Sequence, residues 1–177
     1  MLRRRLLTKN DDGILWLYKD GDECTGVTGG WRYGTSDTKN MGTPYNTGNC
    51  LYLPTNRQAV GWYNRNYAYT NKQIDLTNYN QLCMKFDGYR KYNTAEDSYS
   101  IGLVVTTTPA TGGDNNISYD SEDYHPFSAY SRLICSKNLS YSDYTNRIDI
   151  STLSGSYVIE AINQINNEMK IYAIWIE

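Results

Sequence analysis

Apolar residues in this chain recur with a period of two, and almost nowhere with the period of an α-helix. No window of a dozen residues keeps apolar side chains at i, i+3, i+4 and i+7 between capping residues. The nearest approach, Tyr157 to Met169, reads better as strand. Its Val158, Ile159 and Ile162 are β-branched, and Asn163-Gln164-Ile165-Asn166-Asn167 has the composition of a turn. Such a pattern argues against a helical bundle and against a parallel sheet alternating with helices, and it leaves antiparallel β architecture.

The strand-like segments can be placed one by one. Ile14 to Tyr18 runs into an Asp20-Gly21 turn, and Gly29-Gly30-Trp31 ends a second short segment. Cys50 to Leu53 stops at Pro54, and Gln81 to Tyr89 alternates Leu82, Met84 and Phe86 with Cys83, Lys85 and Asp87. Tyr99 to Thr107 is long and β-branched, and Ser131 to Ser136 is short. Gly155 to Asn163 and Glu168 to Glu177 are expected to close the chain as a hairpin. In the last of these, Met169, Ile171, Ala173 and Trp175 are expected on one face and Lys170, Tyr172, Ile174 and Ile176 on the other. Both faces are largely apolar, as in a central strand or an edge covered by another chain. Tyr33 to Asn49 and Ala110 to Asp123 read as long end-loops, with a shorter polar link from Lys91 to Ser98. Ile74-Asp75-Leu76-Thr77 and Ile148-Asp149-Ile150-Ser151 echo each other. Each is a strand end whose Asp can bond nearby backbone amides, followed by an apolar plug, Tyr79 or Leu153.

Some ten short strands with little helix predict an all-β fold, an antiparallel β-sandwich of jelly-roll type. A length of 177 residues fits one domain, taken as residues 13–177 behind a flexible basic arm at residues 1–12. The arm opens like a secretory signal, Met1-Leu2-Arg3-Arg4-Arg5, but its apolar stretch is two residues long before Thr8-Lys9-Asn10. Seventeen basic and 19 acidic residues give a formal net charge of -2, which argues against a nucleic-acid partner. No apolar run approaches the ~20 residues of a membrane-spanning helix. Cys24, Cys50, Cys83 and Cys135 are widely spaced without a CxxC, so no zinc site is expected. Cys83 and Cys135 read as small buried thiols, and a Cys24–Cys50 bridge stays compatible with the sequence.

Tyrosine dominates the aromatic content, with 18 residues against 2 Phe and 4 Trp. It offers a rigid face and a hydroxyl, and so suits half-wet contact surfaces better than a dry core. Trp62-Tyr63-Asn64-Arg65-Asn66-Tyr67-Ala68-Tyr69 is the densest cluster. As a strand it would line Trp62, Asn64, Asn66 and Ala68 along one face and Tyr63, Arg65, Tyr67 and Tyr69 along the other. Such a ladder can stack on sugar rings, join a neighbouring subunit, or pack within its own sheet.

Several segments resemble small β-rich domains encoded by phages and prophages of Gram-positive gut bacteria. They are Tyr18-Lys19-Asp20-Gly21-Asp22-Glu23-Cys24-Thr25-Gly26-Val27-Thr28-Gly29-Gly30-Trp31, Ile74-Asp75-Leu76-Thr77-Asn78-Tyr79 and Ile171-Tyr172-Ala173-Ile174-Trp175-Ile176-Glu177. Those domains belong to virion appendages such as tail fibres, baseplates or head fibres, and their sandwiches resemble carbohydrate-binding modules. The resemblance implies a non-enzymatic virion protein, assembled in the host cytoplasm as a homo-oligomer through its N-terminal arm and edge strands, with a trimer the form that appendage symmetry suggests. Arg3, Arg4 and Arg5 would dock on other virion proteins. The alternative is a carbohydrate-binding module that recognises bacterial surface polysaccharide through Trp62, Tyr63, Arg65, Tyr67 and Tyr69.

Catalytic signals are weak. His125 is the single histidine and precedes a proline in a loop, and no GxSxG is present. The acids Glu23, Asp87, Glu96, Asp97, Glu122 and Asp123 fall mostly in turns and loops, where solvated carboxylates are ordinary. Asp114, Asn115, Asn116, Asp120, Glu122 and Asp123 supply oxygen donors without calcium-loop spacing. No cofactor is expected, and a structural calcium in that segment stays open without being favoured.

Overall fold

A computed structural model describes residues 13–35, 41–55, 65–92, 99–109, 127–131, 133–135, 138–164 and 166–177. These residues form two antiparallel sheets packed face to face. One sheet has six strands: β1 (Leu15–Lys19), β3 (Tyr45–Asn46), β4 (Leu51–Leu53), β7 (Gln81–Arg90), β11 (Tyr141–Asp149) and β13 (Asn167–Ile176). Its order is β11-β7-β13-β4-β3, with β1 beside β4 along the same flank of β13. The other has seven: β2 (Trp31–Thr35), β5 (Arg65–Thr70), β6 (Ile74–Asp75), β8 (Tyr99–Thr106), β9 (Phe127–Tyr130), β10 (Leu133–Cys135) and β12 (Ser156–Gln164). Its order is β10-β8-β12-β5-β2, with β9 continuing along β8 and β6 along β12. One helical turn, α1 (Thr25–Thr28), ends at Gly29 with φ +70°.

The two inner faces supply the core. Leu82, Met84 and Phe86 of β7 and Ile171, Ile174 and Ile176 of β13 meet Ile101, Leu103 and Val105 of β8 and Ile159 and Ala161 of β12. Trp31 stitches the sheets at one flank. Its indole N–H donates to the carbonyl of Leu17 at 3.1 Å, and its ring meets Tyr18 edge-on at 6.3 Å.

The predicted β-sandwich is observed, with more strands than the ten expected. The closing hairpin is not. β12 and β13 are consecutive, yet each belongs to a different sheet, so the chain arches between the layers. Buried amides hold the arch in place of ladder bonds. The Asn163 side chain donates to the carbonyls of Asn167 at 2.8 Å and Leu53 at 3.2 Å, and Lys91 N–H donates to the carbonyl of Asn166 at 2.7 Å. Trp31 begins a strand rather than ending one, and the expected loop from Tyr33 to Asn49 contains the end of β2 and all of β3. Tyr141-Ser142-Asp143-Tyr144 opens the nine-residue β11.

The twin turns close as expected. Asp75 accepts from Thr77 N–H at 3.0 Å, and Asp149 accepts from Ser151 N–H at 2.9 Å. The two turns also bond to each other: Leu76 N–H to the Gly155 carbonyl, and Gly155 N–H to the Thr77 hydroxyl, each at 2.9 Å. Tyr79 and Leu153 plug the core beside them. Cys83 and Cys135 are buried thiols, as expected. Cys24 and Cys50 are free: the Cys24 thiol faces the Asp22 carbonyl, and the Cys50 thiol lies 3.4 Å from the Thr47 hydroxyl.

Candidate binding surface

The aromatic cluster singled out in the sequence lies only partly within the described residues. Trp62 and Tyr63 fall outside them, as do Arg3, Arg4, Arg5, His125 and the oxygen-rich segment from Asp114 to Asp123. Arg65, Tyr67 and Tyr69 share the outer face of the seven-stranded sheet, as alternation requires, but they are not an open ladder. Arg65 and Tyr67 are 5% and 7% exposed. The Tyr67 ring lies over Gly34, where an added Cβ would sit 2.4 Å from it. Tyr67 packs with Val104 and Ile162, flanked by Tyr69 and Phe127. β5 lies between β12 and β2, so both neighbours contribute to covering its side chains. The even alternation was legible in the sequence; the glycine that lets Tyr67 lie flat is on a strand far away in the chain.

The outer face of the six-stranded sheet is built differently. A β-bulge at Tyr172 breaks the alternation of β13 against β7. Met169 and Ile171 point into the core before the bulge, and Ile174 and Ile176 after it. Tyr172 and Ala173 consequently line the same outer cleft, and Trp175 joins that face. This corrects the face assignment expected for the last strand: strict period two cannot anticipate an extra residue.

Register then lays out the outer face in rows. Trp16, Trp175, Cys83 and Arg147 form one, and Lys19, Ala173, Lys85 and Thr145 the next. Tyr45, Tyr52, Lys170 and Asp87 form a third, and Glu168 and Tyr89 a fourth. The Trp16 and Trp175 rings lie 5.5 Å apart, and the Lys19 ammonium sits 4.4 Å above the Trp16 ring. The Trp175 indole N–H donates to Glu177 at 3.0 Å, which fixes the ring's orientation. Lys85 pairs with Asp143 at 2.7 Å, and the Tyr172 hydroxyl donates to Asp87 at 2.6 Å. The second oxygen of Asp87 accepts the Asp143 backbone N–H at 2.7 Å.

Trp16, Lys19, Asp20, Lys85, Asp143, Tyr172 and Ala173 enclose a cleft of about 440 Å³, within the size range of small-ligand sites. The hydrogen bond to Asp87, helped by burial, pushes the Tyr172 phenol up to about 12. The hydrogen bond to Asp143 raises Lys85 above its ordinary value. At neutral pH the cleft therefore presents the neutral Tyr172 phenol, the Lys85 ammonium and the half-buried Trp16 indole, with Trp175 beside Trp16 at its edge. Such a set can stack on a flat apolar ring face and bond hydroxyls around its rim. Another cleft, about 560 Å³, is lined by Leu15, Val27, Gln73, Ile74, Asp75, Thr77, Asn78 and Tyr79. There Asp75 is committed to its own turn and Tyr79 packs against the core, so it offers fewer groups to a ligand. Trp16 and Trp175 escaped the sequence reading because they stand at opposite ends of the chain. Each reads locally as one more apolar residue in a strand.

No family model and no curated protein matches the chain. Among solved structures, it is similar to the K3 cleaved adhesin domain of Lys-gingipain from Porphyromonas gingivalis W83. That likeness has 15% identity and a TM-score of 0.49, and covers 91% of this chain and 97% of that one. It is also similar to a family 29 carbohydrate-binding module, with 14% identity and a TM-score of 0.46, covering 93% and 91%. A third likeness is to the low-affinity xylan-binding module CBM86 from Roseburia intestinalis, with 13% identity and a TM-score of 0.42, covering 83% and 94%.

Proposed function

We propose that this protein is a non-catalytic carbohydrate-binding domain that holds glycan on the outer face of its six-stranded sheet. The observation that carries the reading is the paired Trp16 and Trp175 rings at the edge of a cleft framed by Lys19, Lys85, Asp143 and Tyr172. Stacking on a pyranose face removes apolar area from water at little entropic cost, because an indole has only two side-chain torsions to fix. Lys85 and Tyr172 are already oriented by Asp143 and Asp87, so hydroxyl recognition would require little reordering. This reading prefers the Trp16–Trp175 face to Arg65 and Tyr67, which are buried; Trp62 and Tyr63 lie outside the described residues. In a virion appendage, the context that the sequence resemblance implies, the same surface would act as a receptor-binding tip.

A glycan array followed by calorimetry tests the reading. Trp175→Ala is expected to weaken binding by about tenfold or more, roughly 1.4 kcal/mol, on the scale found when a nucleic-acid base loses its aromatic stacking partner. Its thermal transition should stay cooperative. Binding that survives both Trp16→Ala and Trp175→Ala would overturn the assignment of this face.

A further inference from the structure

The outer face of the six-stranded sheet carries a second aromatic group beyond the tryptophan cleft. Tyr45 and Tyr52 are register partners whose rings meet edge-on at 5.7 Å, and Tyr89 lies one row further along β7. Tyr45 is 50% exposed and Tyr89 38%. Their support is unusual for a surface. Glu168, 2% exposed, accepts hydrogen bonds from the Tyr89 hydroxyl and the Lys91 ammonium, and Tyr52 bonds it as well. Lys91 is itself anchored to the Thr55 carbonyl at 3.0 Å. A buried carboxylate is thus committed to orienting two phenols whose remaining lone pairs can accept hydrogen bonds.

Between the two groups run Tyr172, Asp87 and Lys170, so the face is polar and continuous from one to the other. From Cys83, beside Trp175, to Tyr89 the β7 strand covers about 20 Å at roughly 3.3 Å per residue. That length exceeds one sugar ring and suits several rings in a row. Charge on the face balances: Lys19, Lys85, Lys91, Arg147 and Lys170 stand with Asp20, Asp87, Asp143, Glu168 and Glu177. Lys85 pairs with Asp143, Lys91 with Glu168, and Arg147 lies 3.9 Å from Glu177. A polyanion would have to compete with these carboxylates.

Resting on the carbohydrate-binding reading, we infer that the ligand is a neutral linear oligosaccharide lying along β13, between β7 and the β1–β4 flank, stacked at one end on Trp16 and Trp175 and at the other on the Tyr45–Tyr52 pair and Tyr89. Once one end is bound, engagement of the other is intramolecular, so affinity rises with chain length until both groups are reached.

The test is calorimetry with β-1,4-linked gluco-, manno- and xylo-oligosaccharides, each from disaccharide to hexasaccharide, with polygalacturonate as the acidic comparison. Affinity for at least one neutral series is expected to climb by about tenfold or more with length. Tyr45→Ala should erase that gain, Tyr89→Phe should reduce it, and Trp175→Ala should lower affinity at every length. Tyr45 is half exposed, so the variant should keep its fold, which thermal melting checks. Length-independent affinity, or a hexasaccharide indifferent to Tyr45→Ala, overturns the extended site and leaves the tryptophan cleft standing. Binding confined to polygalacturonate overturns the neutral ligand, and no binding to any glycan overturns both readings.

Discussion

Glu168 shows how a residue that looks ordinary in sequence acquires a structural task. Burial alone would favour its neutral form, but hydrogen bonds from Lys91, Tyr89 and Tyr52 outweigh that and hold the carboxyl below its ordinary value of 4.5. A lowered carboxyl pKa means that the charged form is the one the fold stabilises. Its contribution is therefore complete above the ordinary value and is lost as pH falls through the lowered one. Glu168→Gln is expected to lower stability at neutral pH by about 2 kcal/mol, the scale of a hydrogen bond to a charged group. The variant should also lose part of the wild-type decline on acidification. Urea denaturation at neutral and acid pH measures both effects, and identical pH profiles would show that Glu168 is not the responsible group. Tyr67 carries the opposite lesson. It was the centre of the binding ladder expected from sequence, and its ring instead fills the space that Gly34 leaves open. Gly34→Ala should cost about 1–3 kcal/mol through overpacking, read as a shift in the denaturation midpoint.

Among the elements, β13 determines what the outer face can do. Of the two alternatives its apolar composition left open it is the central strand, paired with β7 along its length and with β4 and β1 on the other flank. The bulge at Tyr172 changes which residues face outward after it, and it is the bulge that brings Trp175 to the face of Trp16. The arch from β12 to β13 is the second decisive element. Asn163, fully buried, ties β12 to β4 and to β13 across the two layers through the Leu53 and Asn167 carbonyls. Asn163→Ala should destabilise by about 1–3 kcal/mol, because both carbonyls lose a buried donor. Hydrogen exchange should then quicken at Lys91, whose N–H bonds the arch at Asn166, before it quickens at the centre of β7. Uniform exchange across the sandwich would assign the arch no separate role. The twin Asp turns lay within reach of the sequence, because an Asx turn is closed by residues two apart and needs no distant partner.

In the molecule as a whole, the chain changes sheet at most of its connections, from β1 to β2, β2 to β3, β4 to β5, β6 to β7, β7 to β8, β10 to β11, β11 to β12 and β12 to β13. Neighbours in sequence are thus seldom neighbours in a sheet, and each sheet is assembled from both ends of the chain. The sequence by itself determined the β class, most strand positions, the alternation of Leu82, Met84 and Phe86 with Cys83, Lys85 and Asp87, the two Asp turns and the burial of Cys83 and Cys135. These depend on period-two patterning and on interactions a few residues long. Only the tertiary structure decided that β12 and β13 part into different layers, that Tyr67 is packing rather than surface, and that Trp16 and Trp175 form the candidate ligand platform. Each of these rests on register between distant strands, and one extra residue in a strand exchanges its faces without leaving a mark in local composition.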